Sequence, residues 1–173
     1  MHARFVLLGT NHPLQFGAPH VPKEKVDAFR EYLTSLCRSE GIKLIAEEAS
    51  QDVLEKSSVK ETVGAKVARD AVLGYRMVDL SSDERIPLGI SDGQLSSATF
   101  MLKNRNQFNL QPLRDRLNKI ADQVREGTWV ARTLLESTFP ALLIVGANHV
   151  RGVEKLIRSL RQEVVIAHAD YEP

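Results

Sequence analysis

Two histidines stand in the same four-residue setting far apart in the chain, Gly9-Thr10-Asn11-His12 and Gly146-Ala147-Asn148-His149. From average residue usage, Gly-x-Asn-His arises by chance in about one chain in a hundred of this length. Each copy also follows an apolar run, Phe5-Val6-Leu7-Leu8 and Leu142-Leu143-Ile144-Val145. An acidic pair, Glu47-Glu48, follows Leu44-Ile45-Ala46, and Asp79 closes a further stretch that begins at Tyr75. Imidazoles and carboxylates are ligands for zinc, manganese and iron, so the set suits a divalent metal. It is equally the equipment of general acid–base catalysis without metal. Adjacent strand residues point to opposite faces, so Glu47 and Glu48 share a site only where the strand ends between them.

Upstream of the second motif, Arg125-Glu126-Gly127-Thr128-Trp129 places an arginine ahead of an aromatic helix. Such an arginine suits an anionic substrate or a developing oxyanion. On Gly9-x-x-His12, Glu47-Glu48, Gly146-x-x-His149 and this arginine, the chain resembles a superfamily. Its members include TraB/GumN proteins, Tiki metalloproteases, erythromycin esterases and the haem-associated ChaN proteins. The resemblance implies an α/β fold and, for some members, metal-assisted hydrolysis with both histidines and the Glu pair in the site.

The expected function is therefore a small metal-dependent hydrolase of peptidase or esterase type. His12, His149 and Glu48 would hold a divalent zinc, manganese or iron ion. Glu47 or Glu48 would act as base toward a bound water, whose pKa the ion lowers. Arg125 would assist catalysis, and Asn11, Asn148 and Asp79 would contact a small-molecule or peptide substrate. A second expectation is a non-catalytic protein holding haem, a metal or a small ligand in the same cleft. A third is His and Glu catalysis with no metal. No Gly-x-Gly-x-x-Gly, Gly-x-x-x-x-Gly-Lys-Ser/Thr, His-Glu-x-x-His or Gly-x-Ser-x-Gly motif offers another chemistry.

The elements that would position these residues follow from hydrophobic period. Apolar runs over 4–10, 42–47, 75–80, 141–146 and 164–167 read as five strands. Between them, helical spacing appears in Val26, Phe29, Leu33, Leu36 and Cys37, over 59–73, in Leu113, Leu117, Ile120 and Val124, through Trp129 to Leu135, and over 150–160. Gly127 is a candidate break between the third and fourth of these stretches. Strands apolar throughout, alternating with amphipathic helices, predict an α/β domain with a mainly parallel sheet covered on both faces. Residues 1–173 are expected to form one such domain, with a lid or insertion at 81–110, a polar and irregular stretch.

Among the common doubly wound arrangements, 3-2-1-4-5 sets strands one and four side by side, and it is the order expected here. Their carboxyl ends would then form a crevice, with His12 facing His149 and Glu47-Glu48 beside His12. Rings more than about 12 Å apart would not share an ion, since His–metal bonds are only about 2 Å long.

Composition narrows the classes further. A formal net charge of +1 offers no field for nucleic acid. One cysteine, Cys37, excludes an intrachain disulfide and a cysteine-based zinc cluster. No segment approaches the roughly 20 apolar residues that span a bilayer, and the first residues lack the apolar core of a signal peptide. A cytoplasmic protein without membrane contact is expected, and nothing in the sequence fixes its oligomeric state.

Overall fold

The computed structural model describes residues 3–90 and 111–173, with backbone alone for 111–114. Its frame is a five-stranded sheet of β1 (Arg4–Thr10), β2 (Leu44–Glu47), β3 (Gly74–Met77), β4 (Ala141–Gly146) and β5 (Glu163–Tyr171). All four strand pairings are parallel. The helices are α1 (His12–Phe16), α2 (Lys23–Ser39), α3 (Gln51–Lys56), α4 (Val63–Asp70), α5 (Ser82–Arg85), α6 (Gln111–Leu135) and α7 (Val150–Ser159).

The inner strands β1, β2 and β4 are buried on both faces, which is why they carry no polar alternation, whereas the edge strands β3 and β5 are largely exposed. Phe5, Leu7, Ala46, Leu143 and Val145 meet Trp129 and Val130 of α6 and Val150, Val153 and Ile157 of α7. Their neighbours Val6, Leu8, Ile45, Leu142 and Ile144 point the other way. These pack on Leu14 of α1, on Phe29, Leu33 and Cys37 of α2, and on Val63, Val67 and Ala68 of α4. Each fully buried Leu, Ile or Phe contributes roughly 1.5–3 kcal/mol to holding the layers together. Burial in the second layer also pushes the Cys37 thiol up to about 11.

The strand order is β3-β2-β4-β1-β5, so the expected order 3-2-1-4-5 is corrected by exchanging strands one and four. Both orders offer the same apolar strands to the same two layers, and only the crossover lengths differ. The adjacency that matters survives: β1 pairs with β4, with Thr10 opposite Gly146. Glu47, however, stands opposite Ile144 on β4 and not beside β1. Because β1 and β2 continue toward α1 and α3–α4 on one face, while β4 continues into α7 on the other, the chain parts around the end of β4. Crevices in open α/β sheets form where connections diverge in this way.

Several boundaries shift. The helix expected over 59–73 starts at Val63, because the Thr62 side chain accepts the Ala65 amide and caps it. The third strand ends at Met77, leaving Asp79 beyond it. Gly127 does not interrupt α6, which runs unbroken from Gln111 to Leu135. Residues 81–90, expected to be irregular, open with a capping box between Ser81 and Glu84 and continue as α5 and a 3₁₀ turn, Ile86–Leu88. The rest of the expected lid, 91–110, lies outside the described residues. Among the described residues, no helix is long and apolar enough to cross a membrane.

Candidate active site at the ends of three strands

Three strand ends meet at one carboxylate. Glu48, just past β2, keeps its backbone in register by donating its amide to the Ile144 carbonyl at 2.8 Å. Its side chain is almost wholly buried. Oε2 accepts the Gly146 amide at 2.7 Å and Oε1 accepts Arg125 Nη2 at 2.6 Å. His12 Nε2 lies 3.6 Å and His149 Nε2 4.0 Å from the same Oε1. The two Nε2 atoms can be no farther apart than those distances laid end to end, well inside the ~12 Å limit for a shared site.

Both glycines of the repeated motif serve space and not an unusual backbone. Gly146 has φ −59° and ψ 139°, open to any residue. A Cβ there would lie 3.3 Å from Glu48 Oε2, 3.5 Å from His12 Nε2 and 3.6 Å from His149 Cδ2. Gly146 is thus the floor on which the three groups converge. At Gly9 a Cβ would fall 2.0 Å from the Ala169 carbonyl oxygen and 2.5 Å from Val150 Cγ2. That glycine lets β5 and α7 close over β1.

Each histidine is held by its other nitrogen. His12 Nδ1 lies 3.3 Å from Gln15 Oε1, one turn along α1, and the ring stacks on Phe16. Gln15, fully buried, donates Nε2 to the Glu48 carbonyl at 3.4 Å, which leaves its Oε1 as the acceptor facing the ring. His149 Nδ1 lies 3.0 Å from Glu126 Oε1, and the ring meets Trp129 edge-on at 5.0 Å. The side chain of His12 is 47% exposed and that of His149 is 15% exposed.

Arg125 bridges two carboxylates. Nη2 donates to Glu48 and, at 2.8 Å, to Asp79 Oδ2, Nε donates to Asp79 Oδ1 at 3.2 Å, and the guanidinium lies 4.9 Å from the Trp129 ring centre. Burial alone would lower its pKa, but Asp79 and Glu48 outweigh that and raise it, so the cation is fixed. Asp79 also accepts Trp129 Nε1 at 2.8 Å, its neighbour's amide from Leu80 at 2.8 Å, and Arg85 Nη2 at 2.6 Å. Burial pushes the Asp79 carboxyl up, and the Arg125, Trp129 and Arg85 contacts more than reverse it, leaving its pKa below the ordinary value.

The structure brings His12, His149, Glu48 and Arg125 together, with Asp79 joined to them through Arg125, and turns Glu47, Asn11 and Asn148 elsewhere. Glu47 turns to the opposite face of β2, where Oε2 accepts the hydroxyls of Thr62 and, at 2.6 Å, Tyr75. Asp79 is saturated by its partners and serves Arg125. Asn11 caps α1, accepting the Leu14 amide at 2.9 Å, and Asn148 sits exposed in the 3₁₀ turn Ala147–His149. Glu126, Gln15 and Trp129 were not expected in the site. Glu126 was nonetheless legible as the neighbour of Arg125 in a helix turn, and Gln15 as the residue three beyond His12.

The metal expectation is corrected. Among the described residues no group of three or more His, Cys, Asp or Glu side chains is disposed to hold a metal ion. The cause lies in the partners: Glu48 and Asp79 are committed to the Arg125 cation, Glu48 also to a backbone amide, and Glu47 faces away. A metal-dependent hydrolase using zinc, manganese or iron, and a metal-binding protein in the same cleft, both lose their ligand set. No protein-family model, curated protein or solved structure matches the chain, so the resemblance to the TraB–Tiki–erythromycin esterase superfamily stays an expectation carried by its short motifs alone.

Proposed function

We propose that the chain is a metal-independent acid–base catalyst, acting on a small-molecule or peptide substrate at the carboxyl ends of β1, β2 and β4. One observation carries this reading: two imidazole Nε2 atoms approach a single carboxylate oxygen while both Nδ1 atoms face acceptors. Acceptors at Nδ1 place the ring hydrogen there, so a neutral ring offers a lone pair at Nε2. The separations of 3.6 and 4.0 Å exceed direct hydrogen bonds. Three acceptors converging over a glycine floor are complementary to an O–H donor, whether water or a substrate hydroxyl.

In the proposed reaction, an O–H group loses its proton to Nε2 as its oxygen bonds to an electrophilic carbon. The new imidazolium is stabilised by the Glu48 carboxylate, and it returns the proton to the leaving group as that bond breaks. Glu48 is held in place throughout by Arg125 and the Gly146 amide. A positioned base of this kind contributes about 10²–10⁴-fold. Membership of the superfamily named above would fit this chemistry, and a cytoplasmic setting would fit the single reduced cysteine.

A panel of activated esters, lactones and short peptides, assayed with and without a strong chelator, tests the reading. Turnover should survive chelation and fall at least about 100-fold in Glu48→Gln. Activity that vanished on chelation and returned with added metal would overturn it.

A further inference from the structure

The two histidines look equivalent in sequence but are not equivalent in their support. His12 leans on a neutral amide, Gln15, at 3.3 Å, and His149 leans on a carboxylate, Glu126, at 3.0 Å. A carboxylate at Nδ1 accepts only and carries charge, so it both fixes the tautomer and stabilises the imidazolium that forms when Nε2 takes a proton. An amide fixes orientation without supplying that charge.

A second feature shows that the carboxylate has a seat of its own. Gly152 lies in the first turn of α7, where glycine has more backbone freedom to lose than alanine. A Cβ at Gly152 would fall 2.2 Å from Glu126 Oε2 and 2.6 Å from both Cδ and Oε1. The missing methyl is the space the carboxylate occupies. Glu126 is 13% exposed and His149 15%, so the pair is shielded from the water that would weaken it.

We propose that Glu126, seated on Gly152, is the positioning residue of this site, and that through it His149 rather than His12 is the histidine that accepts the proton. This rests on the acid–base reading above and assigns its roles. His149 Nε2 removes the hydroxyl proton. His12, half-exposed and amide-supported, orients the O–H group from the β1 side.

The test uses the full chain labelled with ¹⁵N-histidine, at a pH where the rings are neutral, and needs no substrate. Two-bond ¹H–¹⁵N spectra should show His149 with its hydrogen on Nδ1. Glu126→Leu, which removes the acceptor, and Gly152→Ala, which keeps the acceptor but fills its seat, should both give a tautomer mixture at His149 and leave His12 unchanged. Carbethoxylation of His149 by diethyl pyrocarbonate, followed by mass spectrometry, should slow several-fold in both variants relative to His12. Gly152→Ala is the decisive variant, because alanine favours the helix and the displaced group is the end of a flexible side chain.

A wild-type His149 protonated on Nε2 would overturn the proposal. So would two variants that leave its tautomer and carbethoxylation rate unaltered. Either result would leave the acid–base reading standing with His12 as base. A substrate screen without turnover would instead count against that reading, whatever the tautomers.

Discussion

The carboxylate of Glu48 accepts the backbone amide of Gly146 at 2.7 Å, joining the end of β2 to the start of the second Gly-x-Asn-His motif. This bond sets Glu48 under both histidines, because Gly146 lies opposite Thr10 on β1 and three residues before His149. The amide needs an acceptor once it is buried, and a lost partner there costs about 1–3 kcal/mol. Position and stability are therefore set by one contact.

Gly146→Ala is expected to separate the two. The new methyl would press on Glu48 Oε2 at 3.3 Å and fill the space between the histidine rings, while the backbone at φ −59° accepts alanine without strain. Catalysis should fall by at least about tenfold, with a loss of stability near 1 kcal/mol. Calorimetry with the ester and lactone panel checks both, and full activity in Gly146→Ala would show that the reacting atom does not sit over this floor.

His12→Ala and His149→Ala should both lose activity, with different structural costs. His12 is half-exposed at the start of a short helix, so its removal should change stability by no more than about 0.5 kcal/mol. His149 packs on Trp129 and satisfies Glu126, so its removal should cost about 1–2 kcal/mol. Urea denaturation of the two variants distinguishes them, and equal costs would contradict the partner assignment.

Glu47 predicts a pH dependence unconnected with catalysis. Full burial pushes its carboxyl up to about 7, although the hydroxyls of Thr62 and Tyr75 work in the opposite direction. Among the described residues its Oε1 has no hydrogen-bond partner, and the space beside it exists because residue 64 is glycine, whose Cβ would lie 2.6 Å away. The folded protein then holds a proton that the unfolded chain releases near 4.5, the ordinary value. Its contribution to stability is complete below that value, declines as pH rises toward about 7, and is gone above it. At ~1.4 kcal/mol per pH unit the decline amounts to about 3 kcal/mol. Glu47→Gln should flatten this slope in denaturant midpoints measured from pH 4.5 to 8, and an unchanged slope would place the titration elsewhere.

Two glycine-to-alanine changes should move stability in opposite directions. Gly9→Ala drives a methyl into the Ala169 carbonyl at 2.0 Å and should cost about 2–3 kcal/mol by forcing β5 and α7 off β1. Gly127→Ala, inside α6 with no described residue within 4 Å of its Cβ, should gain about 0.5–1 kcal/mol. Thermal midpoints of the pair are sufficient, and a neutral Gly9→Ala would mean that the β1–β5 contact yields easily.

Some of this was legible along the chain because it depends on neighbours in sequence. Unbroken runs such as Phe5-Val6-Leu7-Leu8 and Leu142-Leu143-Ile144-Val145 have no polar face to give to water, so a sheet covered on both sides follows from them alone. The two Gly-x-Asn-His motifs follow such runs, which sets both histidines at the carboxyl edge whatever the strand order. Arg125 was legible for the same reason, four residues ahead of Trp129 on one helix face.

What the tertiary structure alone decided are the choices between distant partners. Strands one and four are equally apolar, so their order depends on crossover packing and not on pattern. Glu47 and Glu48 differ by one residue, yet the pleat sends one to Thr62 and Tyr75 and the other to Gly146 and Arg125. The metal set failed on this point, since a carboxylate's availability is set by the cations and amides that fold against it. Glu126 finds His149 only because α6 lies along α7 at Gly152, a pairing no local period encodes. Sequence spacing specifies which face a residue takes, and folding specifies what that face meets.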